Sequence, residues 1–413
     1  SDQSIQIVYE GKKLNSRDKV YWKVKIWDQE NETSYWSKTA TWEMGLLDQS
    51  DWQAKWIGKE ELQNVKVGQK NPALYFRKEF VIKNNIQNAR AYISGLGYYE
   101  LYINGKKVGD HVLSPNQTNY DRRQVDKFGD KRIANMSTRV LYETYDISSY
   151  LQKGKNVAAV ILGNGWYFRS EREEYLPLSY DLPRFITQIE VGYADDTMQK
   201  IVSDETWKDS KGPIVENSIY YGEVYDARLE KPDWNKKGFD DSKWEYAKVV
   251  RAPEGKLCAQ MSPPDRVVGI IQPVKITTPR EGIYRYDFGT MFSGWVKLKV
   301  EGKRGTKLKL TFFEDNGNTY EQTDTYILKG EGVEEWEPRF TWHAFRYVEV
   351  SGSPVTLTLD NLEGQIVHTD VRSAGTFKSS NDLFNRILTD YKKTQLDNMH
   401  GGVPSDCPHR ERR

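Results

Sequence analysis

The chain has 413 residues, with 60 Lys and Arg against 59 Asp and Glu, a formal net charge of +1. So balanced a charge leaves no electrostatic footprint for nucleic acid, and no apolar run approaches the ~20 residues a membrane-spanning helix needs. With 13 Trp and 26 Tyr but only 38% hydrophobic residues, the composition suits β-sandwiches and carbohydrate-binding surfaces, where a ring covers the C–H face of a sugar and polar neighbours take its hydroxyls; packing between sheets is the competing use of the same rings.

In chain order, residues 1–49 show period-two alternation. Trp22, Val24 and Ile26 fall on one face and Lys23 and Lys25 on the other, which predicts a half-buried strand in the second half of a fibronectin-like or immunoglobulin-like domain. Residues 50–255 read as a jelly-roll-like sandwich. Asn104-Gly105 marks a hairpin, because both central residues of a type I′ turn need positive φ, and the polar stretch Asp121 to Thr138 reads as an inserted loop. Trp207, Trp234 and Trp244 look like aromatic anchors between short strands. Residues 256–372 predict a second sandwich: Val296, Leu298 and Val300 alternate with Lys297 and Lys299, and Leu308, Leu310 and Phe312 with Lys307 and Lys309, as in an antiparallel sheet with one wet face.

From 373 to 413 the period changes. Ser380-Asn381 can cap a helix in which Phe384, Ile387, Leu388 and Tyr391 share one face; it ends near Asn398-Met399, and His400-Gly401-Gly402 turns the chain toward Asp406. Taken alone, this helix would leave its apolar face uncovered or borrow contacts from the second sandwich. Cys258 and Cys407, far apart in sequence, read as unpaired. Neither Cys-x-x-Cys nor His-Glu-x-x-His occurs.

The chemistry concentrates in the last residues. Asp406, Arg410 and Glu411 are two carboxyls and a guanidinium able to reach one pocket. Carboxylates accept from vicinal hydroxyls, Arg donates in a fixed plane, and a carboxyl of raised pKa protonates a leaving oxygen. A solvated charged terminus is the alternative.

The segment Asp406-Cys407-Pro408-His409-Arg410-Glu411-Arg412-Arg413 resembles the Asp-Cys-Pro-Gln-Arg-Asp-Glu-Arg signature that opens the catalytic domain of bacterial α-L-rhamnosidases, glycoside hydrolase family 78. His409 replaces the family's Gln, and one acidic position is lost, so Glu411 falls five rather than six residues after Asp406. The resemblance extends through Tyr21-Trp22-Lys23-Val24-Lys25-Ile26-Trp27-Asp28, Leu101-Tyr102-Ile103-Asn104-Gly105, Leu162-Gly163-Asn164-Gly165-Trp166-Tyr167, Tyr221-Gly222-Glu223-Val224-Tyr225-Asp226-Ala227-Arg228, Asp287-Phe288-Gly289 and Pro338-Arg339-Phe340-Thr341-Trp342-His343-Ala344-Phe345-Arg346-Tyr347, in family order.

It implies tandem β-sandwiches followed by the first helix of an (α/α)6 catalytic barrel, in a chain cut at both ends. It also implies an inverting mechanism, with acid and base roughly 6.5 to 9.5 Å apart. Glu411 would be the general acid, Asp406 a substrate contact and Arg410 a contact or orienting group. The base would lie downstream, so these residues alone would be inert. The implied partner is a rhamnose-containing plant glycoside or polysaccharide, met in the periplasm or outside the cell rather than in the cytoplasm, without a redox or nucleotide cofactor. Related modules of the family bind rhamnose, some with calcium. By that resemblance Asn164, Trp166, Tyr221, Glu223 and Asp226 are carbohydrate-binding candidates, against a reading in which Trp166 and Tyr221 are core and Asp226 pairs with Arg228 to hold the fold. A non-catalytic carbohydrate-binding assembly of β-sandwiches is the alternative to the enzyme.

Overall fold

The computed structural model of the chain describes residues 8–59, 66–122, 137–170, 179–314, 319, 321–404 and 406. These residues are mostly β, with one α-helix, Asp382–Asp397, among them. The inserted loop expected from Asp121 to Thr138 lies largely outside the described residues.

The N-terminal part forms an antiparallel ribbon of Lys19–Trp22 with Ala40–Glu43. Here the structure corrects the half-buried strand expected through Ile26. The strand ends at Trp22, and Trp22, Val24 and Ile26 are 42%, 45% and 64% exposed. An alternating strand buries a face only where a second layer covers it, and among the described residues none does. Trp22 leans instead on Trp42, with ring centroids 6.1 Å apart. Arg17 ties the ribbon to the next layer, its Nε donating to Glu190 at 2.6 Å and its Nη1 to Asp51 at 2.9 Å.

Three large sheets then stack. A six-stranded sheet built on Leu74–Ile82, Tyr98–Ile103 and Gly154–Gly163 lies in the middle. The strand Gly154–Gly163 explains why. Ala158, Val160 and Leu162 pack with Phe185, Ile189 and Trp207 against a seven-stranded sheet that contains Ile86–Leu96, Arg139–Asp146 and Arg184–Tyr193. On the opposite face Val157, Ala159 and Ile161 pack with Trp295, Val296 and Leu298 of an eleven-stranded sheet. A strand covered on both faces reads as a continuous apolar run rather than an alternation. The anchors Trp207, Trp234 and Trp244 are all buried.

The eleven-stranded sheet is organised around Ile283–Glu301, which pairs with His343–Ser351 and Leu362–Thr369. Val296, Leu298 and Val300 are buried, as are Leu308, Leu310 and Phe312 on Lys307–Phe313. The two strands share the sheet without touching, because His343–Ser351 lies between them. The strands Ile214–Ser218 and Gly222–Asp226 join the same sheet, the second pairing in parallel with Thr323–Ile327.

The hairpin turn at Asn104-Gly105 has φ of 51° and 85°, the left-handed pair a type I′ turn requires. Two other glycines are set by close approach. A Cβ on Gly163 would lie 2.5 Å from the Phe340 ring, and one on Gly222, at φ 110°, would lie 2.0 Å from the Thr323 carbonyl oxygen. The first lets the six-stranded sheet sit directly on the Phe340 ring, and the second lets two neighbouring strands of the eleven-stranded sheet approach closely.

Asn381 caps the helix, its side chain accepting from the Leu383 N–H at 2.9 Å. Of the expected apolar face, Phe384, Ile387 and Tyr391 stay exposed and Leu388 is half-buried, as for a face that little among the described residues covers. At its C-terminal end Asp397 accepts from the Ser293 N–H at 3.3 Å, the contact borrowed from the second sandwich.

Candidate functional site

Beyond the helix, Met399–His400 and Val403–Pro404 form a short hairpin through Gly401 and Gly402, at φ 65° and 80°. His400 is the anchor. Its ring stacks on Trp342 at 4.7 Å and stands edge-on to Tyr98 at 6.1 Å. Nδ1 meets the carboxylate of buried Asp265, while Nε2 lies 2.8 Å from the Tyr98 hydroxyl and 3.4 Å from Trp166 Nε1. An indole N–H only donates, so Nε2 accepts and Nδ1 carries the proton given to Asp265. The Gly401 N–H donates to both Asp265 oxygens at 3.2 Å, the Thr369 hydroxyl donates to Asp265 at 2.7 Å, and the Gly402 N–H donates to Thr369 at 3.1 Å. The chain leading to Asp406 is thereby rooted in the buried join between the sheets. Asp406 itself is exposed; Arg410, Glu411 and Cys407 lie outside the described residues, and Cys258 is a free thiol.

A second feature is a cleft of about 610 Å³ between the jelly-roll layers and the eleven-stranded sheet, lined by Lys70, Asn71, Asn164, Asn217, Tyr221 and Thr323 among others. Three amides knit its floor. Asn71 Nδ2 donates to Asn164 Oδ1 at 2.6 Å; Asn164 Nδ2 donates to the carbonyl of Asn217 at 2.7 Å and to that of Asn71 at 3.2 Å; the Asn164 N–H donates to Asn217 Oδ1 at 2.7 Å. Lys70 pairs with Glu216 at the rim.

The structure thus brings Asn164 and Tyr221 together at one cleft. Trp166, Glu223 and Asp226 do not line it. Trp166 is buried beneath, edge-on to Tyr220 at 5.5 Å. Asp226 caps the turn Ala227–Leu229 and holds Arg228 through two bonds of 2.8 and 2.7 Å. Glu223 is fully buried, one oxygen accepting from the N–H groups of Arg339 and Phe340 at 3.1 and 3.3 Å and the other without a partner among the described residues. Burial pushes its carboxyl up to about 8 against the opposing pull of Arg339. Among the described residues no three His, Cys, Asp or Glu side chains converge as metal ligands.

Sequence reasoning missed His400, Asp265, Asn71 and Asn217. His400 carried one signal, an aromatic ring immediately before a Gly-Gly turn.

Stacked, mostly antiparallel sheets followed by a capped helix and a buried, anchored hairpin define the class: a multidomain β scaffold leading into a helical segment. The chain belongs to the bacterial α-L-rhamnosidase family, glycoside hydrolase family 78. Residues 84–128 and 126–269 match the α-L-rhamnosidase N-terminal domain, 277–368 the bacterial α-L-rhamnosidase concanavalin-like domain, and 372–413 the bacterial α-L-rhamnosidase six-hairpin glycosidase domain. Residues 1–48 match the Rha78A-like N-terminal immunoglobulin domain.

An α-L-rhamnosidase of Formosa agariphila is 38% identical across all of this chain and 45% of its own length. The solved α-L-rhamnosidase of Dictyoglumus thermophilum is 43% identical with a TM-score of 0.87, over 98% of this chain and 46% of its own. That of Aspergillus terreus is 30% identical with a TM-score of 0.85, over 99% and 47%. The chain spans about half the length of the relatives it matches.

Proposed function

We propose that this chain is the β scaffold and opening catalytic segment of a periplasmic or extracellular inverting α-L-rhamnosidase, acting on terminal rhamnose of plant glycosides or polysaccharides. In this reading Glu411 protonates the glycosidic oxygen, Asp406 holds sugar hydroxyls, Arg410 holds the sugar or orients a carboxylate, and a base outside these residues activates water. Without that base the 413 residues turn nothing over. The supporting observation is the anchoring of the hairpin that immediately precedes Asp406, where His400 and Gly401 bond to Asp265; a residue that contacts substrate gains from such a held approach. The test is aryl α-L-rhamnoside hydrolysis by the chain together with whatever follows Arg413 in its gene. Glu411→Gln is expected to lower kcat about 100-fold or more; equal turnover by parent and variant removes Glu411 from the mechanism.

The 610 Å³ cleft favours a second role, binding of a neutral sugar. Asn164 and Tyr221 sit at its wall, and the Thr323 and Thr325 hydroxyls line it. Calorimetric titration with L-rhamnose, with and without calcium, is expected to show millimolar binding that Tyr221→Ala weakens. Absence of heat at tens of millimolar sugar sinks the binding role.

A further inference from the structure

A separate, smaller cleft of about 250 Å³ is lined by Tyr75, Tyr102, Tyr225, Lys231, Trp234 and Arg339, and by the acids Glu230 and Asp233. Its indole, Trp234, is already engaged by two rings, Tyr75 at 4.2 Å and Trp244 at 6.2 Å. Glu230, Lys231, Asp233 and Arg339 of the lining are charged, and the balance of charge decides the sign of what they attract.

Each acid at the cleft is already engaged by a lysine outside it. Glu230 takes Lys329 at 2.7 Å and the Tyr225 hydroxyl at 3.0 Å, and Asp233 takes Lys236 at 2.6 Å. Behind the cleft, Glu100 is shared between Lys107 at 2.8 Å and Arg339 Nε at 3.0 Å. Burial alone would raise the Glu100 carboxyl, but Lys107 and Arg339 outweigh it and hold it at about 2. One carboxylate therefore faces two cations.

The positive groups are not balanced in return. Among the described residues Arg339 pairs with no carboxylate except Glu100, and its side chain is 31% exposed. Lys231 pairs with none: its amine donates to the Ser210 hydroxyl and lies 5.1 Å from the centre of the Trp244 ring. Tyr75, only 5% exposed, lines the same cleft, and among the described residues its hydroxyl has no hydrogen-bond partner. A guanidinium fork, an uncompensated ammonium and a spare hydroxyl donor suit an oxyanion, which accepts from all three.

We propose that this cleft binds an oxyanion carried on a sugar, the carboxylate of a uronosyl residue or a sulfate ester, with Arg339 and Lys231 on the anionic oxygens and Tyr75 donating beside them. That the anion is borne by a sugar rests on the glycosidase reading above; the anion site itself rests on the cleft alone.

The experiment is calorimetric titration of this chain with sodium D-galacturonate, D-galactose 6-sulfate, inorganic sulfate and neutral methyl α-L-rhamnoside. At least one acidic sugar is expected to bind at millimolar concentration, more tightly than inorganic sulfate, and Lys231→Met and Arg339→Lys are each expected to weaken it about ten-fold or more. Which acidic sugar saturates distinguishes carboxylate from sulfate ester. Lack of saturation by either at tens of millimolar, or binding that survives both substitutions, overturns the site; inorganic sulfate binding as tightly as the sugars overturns the sugar assignment. Among the described residues Lys231 bonds only to Ser210, so its variant carries the test even if Arg339→Lys unfolds. The readout is binding rather than turnover, so failure here leaves the rhamnosidase reading standing, and inactivity on rhamnosides leaves this site standing.

Discussion

Replacing His400 by alanine is expected to destabilise the chain by about 3 kcal/mol or more, one of the largest single effects available in it. The ring fills a buried site among Trp342, Tyr98 and Trp166, so its loss leaves a cavity that three rigid aromatic walls close poorly. It also strips the Asp265 carboxylate of its imidazole donor, leaving the Gly401 N–H and the Thr369 hydroxyl. A bond to a charged group is worth about 1.5–3 kcal/mol, and a carboxylate held in the interior with fewer donors adds to the loss. Urea unfolding of parent and variant measures the difference. A loss under about 1 kcal/mol would show that the hairpin is not anchored through this ring. His400→Asn separates the two contributions, since an amide can donate to Asp265 without filling the stack; it is expected to recover part of the loss. In the catalytically competent protein the same His400→Ala substitution is expected to lower kcat more than it raises KM, because it loosens the start of the segment that carries Asp406 rather than removing a sugar contact.

The anchor shows what local pattern can and cannot report. The helix Asp382–Asp397 was legible because cap and apolar face lie within its own residues, and the Asn104-Gly105 turn because its chemistry is complete in two residues. Val296, Leu298 and Val300 disclosed a buried face for the same reason. Partners are another matter. Nothing near His400 announces Asp265, 135 residues earlier, and nothing near Gly222–Asp226 announces its parallel neighbour Thr323–Ile327. Alternation also misled where burial depends on another layer: Trp22, Val24 and Ile26 have the pattern and no cover. Conversely, the strand Gly154–Gly163, apolar on both faces, conceals the fact that it serves two cores. At the larger cleft, Asn164 and Tyr221 come from motifs visible in the sequence, while Asn71 and Asn217, which hold Asn164 in place, belong to none. The residues singled out by motif divide accordingly. Gly163 and Gly222 are required by packing, Asp226 by its own turn, and Glu223 by the backbone it holds.

Glu223 makes a pH dependence that runs against the usual one for a carboxyl. Its side chain is fully buried, one oxygen holding the Arg339 and Phe340 N–H groups. Of the charges acting on it, Arg339 opposes protonation and Asp324 favours it; Asp324 accepts from the Glu223 N–H at 2.8 Å and faces His343 at 3.1 Å. Desolvation first, and then the Asp324 charge, favour the protonated acid, so the folded-state value rises from 4.5 to about 8 against the pull of Arg339. The folded chain then holds a proton that the unfolded chain has released, and stability must fall as pH rises between those two values. The contribution is fully present below about 4.5 and lost by the time pH passes about 8, a total on the order of 3–5 kcal/mol. Groups such as Glu100, held down at about 2, act in the opposite sense but have completed their effect below the upper half of this window. Between about pH 5.5 and 7 the slope from Glu223 approaches 1.4 kcal/mol per pH unit, falling to about half of that near pH 8. Glu223→Gln keeps a carbonyl oxygen for the Arg339 and Phe340 N–H groups and cannot ionise. It is therefore expected to match the parent near pH 5 and to exceed its stability increasingly toward pH 9. Urea unfolding at intervals across that range gives two curves, which must diverge with rising pH; parallel curves would mean that Glu223 is ionised in the folded chain and that Arg339, rather than burial, sets its state.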